Sequence, residues 1–313
     1  MGRGRVPPPA ELVAVSRGST IAPVGVKRVL NTKEEVVYDL LRKACESDGA
    51  RVYPKMRLID VLETERDPLA ERRSFALRAH LDFTVVDAAQ VPLFAVEYDG
   101  PQHAVAIQRE RDAKKNSLCR DHELPLLRIT SRHLTAYRGM DLLTWIVNVW
   151  FTQRAFNAAQ QAGAIPWEED FDPLTAMTYV DGKLSRPFWF AGTVHEAVRT
   201  LHRQNRIFDP IPSMAVARNM NGAYEGIAWL RISKDAAIYA TTRLRDQDFP
   251  VNFADAVEQI VEVELYEKLK QVFRGALRPL PASVVNARLV QFQREHQLQR
   301  ASFVGQSPAD FGM

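Results

Sequence analysis

Cysteine is scarce in this chain. Cys45 and Cys119 are the only two in 313 residues, which is too few for a disulfide framework or a cysteine-rich zinc site and ordinary in a reduced compartment. An excess of charge of one sign is missing as well. Against 38 Asp and Glu stand 41 Lys and Arg, a formal net charge of +3, so attraction to nucleic acid has to come from local patches rather than from an overall field. Long apolar runs are absent, and none approaches the roughly 18 residues that would span a bilayer. The basic N-terminus, MGRGRVPPPAELVAVSRGST, lacks an apolar core of signal-peptide length. The expectation is a cytoplasmic protein with no membrane association. What the chain does have is 46% hydrophobic and 25% charged residues, the composition of a folded globular protein, and a length that suits two domains.

Residues 1–31, with Arg3 and Arg5 beside Pro7, Pro8 and Pro9, read as a basic mobile tail, with a phosphate-contacting arm as the alternative. Order is expected from Thr32. Thr32 and Glu35 have the spacing of a capping box, and Val36, Leu40, Leu41 and Ala44 recur at helical intervals. RVYPKMRLIDVL (51–62) and LRAHLDFTVV (77–86) read as extended, VPLFAVEYD (91–99) as the clearest strand, IQRERDAKKNSLCRDHE (107–123) as a helix and LPLLRI (124–129) as a strand, the last pair being candidates for a parallel crossover. A helix over about 140–162, apolar on more than one face, is expected to be buried between this domain and the next. AGAIPWEEDFDP is the expected boundary. Helices are predicted over 193–205, 253–277 and 282–300, which makes 164–301 a mainly helical accessory domain and 302–313 a frayed tail.

The stretch AVEYDGPQHA (95–104) gathers Glu97, Asp99, Gln102 and His103 where an apolar strand runs out. Side chains alternate along a strand, so Glu97 and Asp99 share a face. A symmetric turn through residues 87–92 would place Asp82 directly opposite Glu97 on that face. Two facing carboxylates repel unless a proton or a cation separates them, and a hard divalent ion with oxygen ligands would remove the conflict. Arg111 and Lys115, four residues apart on the next helix, with Lys114 nearby, would supply positive charge. The plain alternative is a solvated strand end with Asp99-Gly100-Pro101 as a turn. His80 shares the Asp82 face and is a weaker candidate; the other histidines have no ligand spacing.

At these residues the chain resembles the PD-(D/E)xK, or restriction-endonuclease-like, nuclease superfamily, in particular a bacterial branch near the very-short-patch-repair endonucleases. The matching pieces are Asp82 in HLDFTVV, EYDGPQH (97–103), RDAKKNSL (111–118) and LPLLRI with Arg128, and YPKMRLIDVL upstream. The likeness covers roughly 32–135. It implies an α/β fold, a restriction-endonuclease-like α/β/α sandwich with a small mixed sheet, over residues 32–163. It implies Mg²⁺ or Mn²⁺ held by Asp82, Glu97 and the carbonyl of Tyr98, with an acid of the first helix assisting, Glu35 or Glu34, of which Glu35 also suits a cap. It further implies DNA as substrate, with Arg111, Lys114 and Arg128 as nucleic-acid contacts. One departure stands out: Asp99 occupies the position of the pattern's lysine, leaving Gln102, His103 and Lys115 as candidates to replace it.

Three functional expectations follow. The first is a divalent-metal-dependent DNA endonuclease of restriction, repair or defence against mobile DNA. The second is a nuclease-fold module that binds DNA or recruits a partner without cutting, as part of a larger complex or as a homodimer through its C-terminal half. In the third, residues 164–313 confer specificity, with Trp167, Phe188, Trp189, Phe190 and Trp229 stacking on bases and Arg199, Arg203 and Arg206 on phosphates; the competing reading makes the aromatics core and the arginines a solvated face.

Overall fold

The computed structural model describes residues 25–64, 69–100, 106–180 and 182–303. The N-terminal tail through residue 24, Gln102, His103 and residues 304–313 lie outside them.

Helix α1 (Thr32–Glu46) is capped by Asn31, whose side chain accepts the N–H of Glu34 at 3.0 Å while Glu34 Oε2 accepts the N–H of Asn31 at 2.9 Å. The capping box is therefore one residue earlier than Thr32 and Glu35 suggest. Asn31 precedes Thr32, both are good caps, and the helix takes the earlier one. Strand β1 (Arg51–Pro54), the short α2 (Leu58–Val61), α3 (Ala70–Arg78), β2 (Phe83–Val86), β3 (Pro92–Tyr98), α4 (Ala106–Asp121) and β4 (Leu126–Ile129) follow. The extended readings of 51–62 and 77–86 are thus shortened to β1 and β2, the remainder being helical at α2 and at the end of α3.

The four strands form one sheet in the order β1-β2-β3-β4, antiparallel except for the parallel β3–β4 pair joined through α4. Phe83, Val85, Phe94, Val96, Leu127 and Ile129 pack with Val37 and Leu41 of α1 in one core. Ala95 and Leu126 point the other way, against Ala76 of α3 and Leu118 and Cys119 of α4. The result is a three-layer unit with helices on both faces. Burial pushes both cysteine thiols up to about 12, so they pack as small apolar groups.

A 3₁₀ turn (Ser131–Leu134) and the hairpin β5 (Ala136–Tyr137) and β6 (Met140–Asp141) lead into α5 (Leu142–Gln161). As expected of a helix apolar on several faces, α5 is buried, with Trp150 and Phe151 both edge-on to Phe94. The hairpin β7 (Thr178–Val180) and β8 (Lys183–Ser185) and α6 (Gly192–Arg203) precede a second sheet. It is built of β9 (Ser213–Arg218), β10 (Tyr224–Arg231), β11 (Ala236–Leu244), β12 (Leu280–Pro281) and β13 (Gln297–Ser302), in the order β12-β11-β10-β9-β13 and antiparallel throughout. This corrects the mainly helical expectation. The C-terminal half is a second α/β layer structure, with α7 (Phe253–Phe273) on one face of the sheet and α8 (Ala282–Glu295) on the other. The helix expected over 282–300 ends at Glu295, and what read as the start of a frayed tail is the end of β13.

Helix α7 lies very close to β10. A Cβ on Gly226 would stand 2.7 Å from Val257 Cγ1, so only glycine fits there. The α7 side of the second sheet belongs to the same apolar cluster as α1 and α5, so the two halves share a core. Polar ties reinforce it: Arg120 pairs with Asp248 at 2.5 Å, and the Gln247 side chain accepts the N–H of Arg128 at 2.6 Å. No helix among the described residues is long and apolar enough to cross a membrane.

Candidate functional site

The β2–β3 register pairs Phe83 with Val96 and Thr84 with Ala95, with a bulge only at Val86. One step further, Asp82 meets Glu97: the Asp82 N–H donates to Glu97 Oε1 at 3.1 Å. Both residues stand on the sheet face that α4 covers, because Glu97 is two residues on from Ala95. From α4, Lys115 Nζ donates to Glu97 Oε2 at 2.6 Å and to the carbonyl of His80 at 2.8 Å. The His80 imidazole itself is exposed.

From the other side comes a residue that the motif reading missed. Continuing the β1–β2 register past Pro54–Phe83 places Lys55 beside Asp82, and Lys55 Nζ donates to Asp82 Oδ1 at 2.6 Å and to Glu34 Oε1 at 2.9 Å. Lys55 has φ +57°, a left-handed backbone that a non-glycine residue seldom adopts. Its own N–H bonds the Asp82 carbonyl at 2.9 Å, which fixes that turn. Glu34 thus caps its helix with one oxygen and reaches the cluster with the other. Glu35, the expected helix-one acid, turns outward to pair with the exposed Arg28.

Three carboxyl groups meet two lysine side chains in the cluster. Glu97 is only 3% exposed. Burial pushes its carboxyl above the ordinary value; Lys115 opposes the rise and Asp82 adds to it. For Lys55, burial works to lower the ammonium, but the hydrogen bonds to Asp82 and Glu34 outweigh it and hold it above its usual range.

Asp99, on the same face, is tied elsewhere. Its Oδ1 accepts from Arg128 Nη1 at 2.7 Å, and Arg128 also pairs with Asp112 at 3.1 Å and donates to Asn116 at 3.0 Å. Arg128, expected on phosphate, is instead a buried cation between Asp112 of α4 and Asp99, the residue after β3. Lys114 lies on the outer side of α4 with Glu71 and Glu110, and Arg111 is exposed. Of the expected residues, Asp82, Glu97, Tyr98 and Lys115 therefore come together, while Asp99, Arg128 and Lys114 are engaged away from them.

Among the described residues no three His, Cys, Asp or Glu side chains form a metal-binding group. The cluster nevertheless fits a hard divalent ion that takes two carboxylates and keeps several waters. Each Asp82 and Glu97 oxygen accepts one protein hydrogen bond, from Lys55, Tyr98 N–H, Asp82 N–H or Lys115, and retains a second lone pair. The Asp99 N–H bonds Ile129 across β4 at 2.7 Å. The Tyr98 carbonyl, opposed to that N–H in a trans peptide, is directed to the Asp82 side. A cleft of about 790 Å³ runs behind this site, between α4, β4 and residues 245–250; Asn116 and Arg128 line it, but none of Lys55, Asp82, Glu97 and Lys115 does.

Residues 26–140 match the sequence profile of a family described as "Protein of unknown function (DUF2726)". The stretch takes in α1 through β4 and every residue of the acid–lysine cluster. No curated protein and no solved structure matches the chain.

Proposed function

We propose that the cluster of Glu34, Lys55, Asp82, Glu97 and Lys115 is a Mg²⁺- or Mn²⁺-dependent site that hydrolyses DNA phosphodiester bonds, in a domain of the restriction-endonuclease-like class. One observation carries the reading: Asp82 and Glu97 meet at the ends of adjacent strands, and lysines from two other elements bring ammonium groups to them. The element order α1-β1-β2-β3-α4-β4, with three antiparallel strands and a parallel fourth, supports it.

Asp82, Glu97 and the Tyr98 carbonyl would hold the ion. When bound, it supplies charge neutralisation at the phosphoryl oxygens and a water acidic enough to attack near neutral pH. Lys115 stands in for the lysine that Asp99 replaces, delivering its charge to Glu97 from the helix instead of from the strand. Lys55 contributes a second cation from the opposite flank, and both ammonium groups stabilise the charge that builds on the phosphoryl group. In the reaction the water oxygen forms the new P–O bond as the P–O bond to the leaving sugar oxygen breaks; the attacking water gives up a proton and the leaving oxygen gains one.

A second reading, a DNA-binding or partner-recruiting module that does not cut, is favoured by Asp99, whose carboxylate is committed to Arg128. Incubating the protein and Glu97→Ala with supercoiled plasmid and with single-stranded DNA, in Mg²⁺, Mn²⁺ or EDTA, separates the two. Metal-dependent cutting that falls by at least about 100-fold in the variant is the expected outcome. Cutting equal in both proteins would point to a contaminant, and silence from folded protein would favour the binding module.

A further inference from the structure

A second cleft, of about 630 Å³, runs along α6, with Trp189, His195, Arg199, His202 and Arg203 among its lining residues. Positions 195, 199, 202 and 203 share one helix face. The cleft is organised around the Trp189 ring. Gly192 leaves room for it, since a Cβ there would lie 3.0 Å from the ring. The His195 ring meets it edge-on at 5.5 Å, and the Arg186 guanidinium lies over it at 5.8 Å. His195 is itself fixed by Glu262, at 2.9 Å from Nε2.

Along the wall, Arg199 and Arg203 are exposed, and no carboxylate among the described residues forms a salt bridge with either. Glu196 is the one acid in the lining. Two exposed arginines with no salt-bridge partner among the described residues, beside a fixed aromatic ring, are complementary to a polyanion that carries stackable rings.

The place of the cleft matters as much as its chemistry. Phe188 accepts the Trp145 indole N–H at 3.0 Å in the first turn of α5, and Phe190 stacks on Tyr137 of β5 at 6.1 Å. Both anchors belong to the chain as it leaves β4 beyond Ile129, the end of the first sheet where Asp99 and Tyr98 follow the acid–lysine cluster.

We propose that the α6 cleft is a second contact site for the DNA strand, with Arg199 and Arg203 on backbone phosphates and Trp189 against a base. This rests on the reading of the first site as DNA-directed. It also divides the aromatics and arginines of the C-terminal half: Trp229, Phe188 and Phe190 are buried core, whereas Trp189 and the α6 arginines line open space.

The test is fluorescence anisotropy of the full chain with a short fluorescein-labelled DNA, as duplex and as single strand, in EDTA and over a range of KCl. The paired variant Arg199→Gln with Arg203→Gln is expected to weaken binding about tenfold and to lower the slope of log affinity against log salt by about 1 to 2. Trp189→Ala is expected to weaken binding of the single strand by about five- to tenfold with the salt slope unchanged. Unchanged affinity and slope in the arginine variant, with its thermal midpoint matching wild type, would overturn the proposal, as would absence of DNA binding by the wild type. Loss of binding in the arginine variant alongside a wild type that never cuts plasmid would keep this site and reject hydrolysis; cutting with unaltered binding in the variant would do the reverse.

Discussion

Two groups of buried and half-buried carboxylates, one at the strand ends of the first sheet and one on α7, are accommodated differently. At the strand ends, Glu34, Asp82 and Glu97 meet Lys55 and Lys115, and each lysine bonds directly to an acid at 2.6 Å. On α7, Asp255, Glu258 and Glu262 line one face of a central helix, served by Arg300 of β13 at 2.5 Å from Asp255 and by His195 at Glu262. Burial is the main cause that pushes Asp255 up to about 6 and Glu258 up to about 7; Asp172 and the neighbouring acids add to it and Arg300 opposes it. In the first group each strand-end acid is tied directly to a lysine and keeps lone pairs over for a ligand. In the second, Asp255 and Glu258 are raised far enough by burial to take up protons at mildly acidic pH. The same residue type is thus a candidate for chemistry in one place and a pH-dependent strut in the other.

The sharpest way to separate them is to remove cations from the first. Lys115→Met should lower metal-dependent DNA cleavage by about 100-fold or more and Lys55→Met by about tenfold, because Lys115 bears on the more deeply buried acid. Steady-state kinetics on a plasmid substrate measures both, and equal rates in all three proteins would remove the lysines from the chemistry. Next in size is the response of the α7 group to pH. A carboxyl whose folded pKa is raised stabilises the fold below its unfolded value and loses that contribution as pH rises through the folded one. For Asp255 and Glu258 the window runs from their ordinary 3.8 and 4.5 up to about 6 and about 7. The thermal midpoint should therefore fall between about pH 4 and about pH 7, and Glu258→Gln should flatten that fall by a contribution on the order of 2 kcal/mol. Parallel curves for the two proteins would assign the dependence to another group. The smallest effect distinguishes neighbours on α1. Glu34→Ala should cost about 1 kcal/mol through its lost cap and reduce cleavage, while Glu35→Ala, on an exposed pair, should change neither measurably.

Much of the first sheet was legible because its signals are local. Asp87 to Pro92 reads as a turn, the flanking residues are apolar and short, and the pairing of Asp82 with Glu97 follows from symmetry about that turn. Lys55 was not found, although the β1–β2 register leads to it, because YPKMRLIDVL looks like one extended run and a left-handed lysine has no sequence signature. The second sheet was missed for a physical reason. Strands β9 and β10 are buried on both faces, so SMAVAR and EGIAWLR carry no alternation. Strand β13 was absorbed into a helix, since QLQRAS continues the polar-rich spacing of α8. The phosphate role of Arg128 came from the resemblance alone, and its two acid partners, Asp99 and Asp112, come from other elements.

The Gln247 side chain, which takes the Arg128 N–H, has a consequence for how the chain can be divided. In the parallel pairing with β3, Leu127 and Ile129 are directed inward, so Arg128 presents its N–H to the outer border of the sheet. An open border of this kind invites another strand. The profile-matched stretch ends at residue 140, more than a hundred residues before the amide that closes it. Expressed by itself, residues 26–140 would carry all five residues of the acid–lysine cluster and an unguarded seam, and self-association is the behaviour to expect of it.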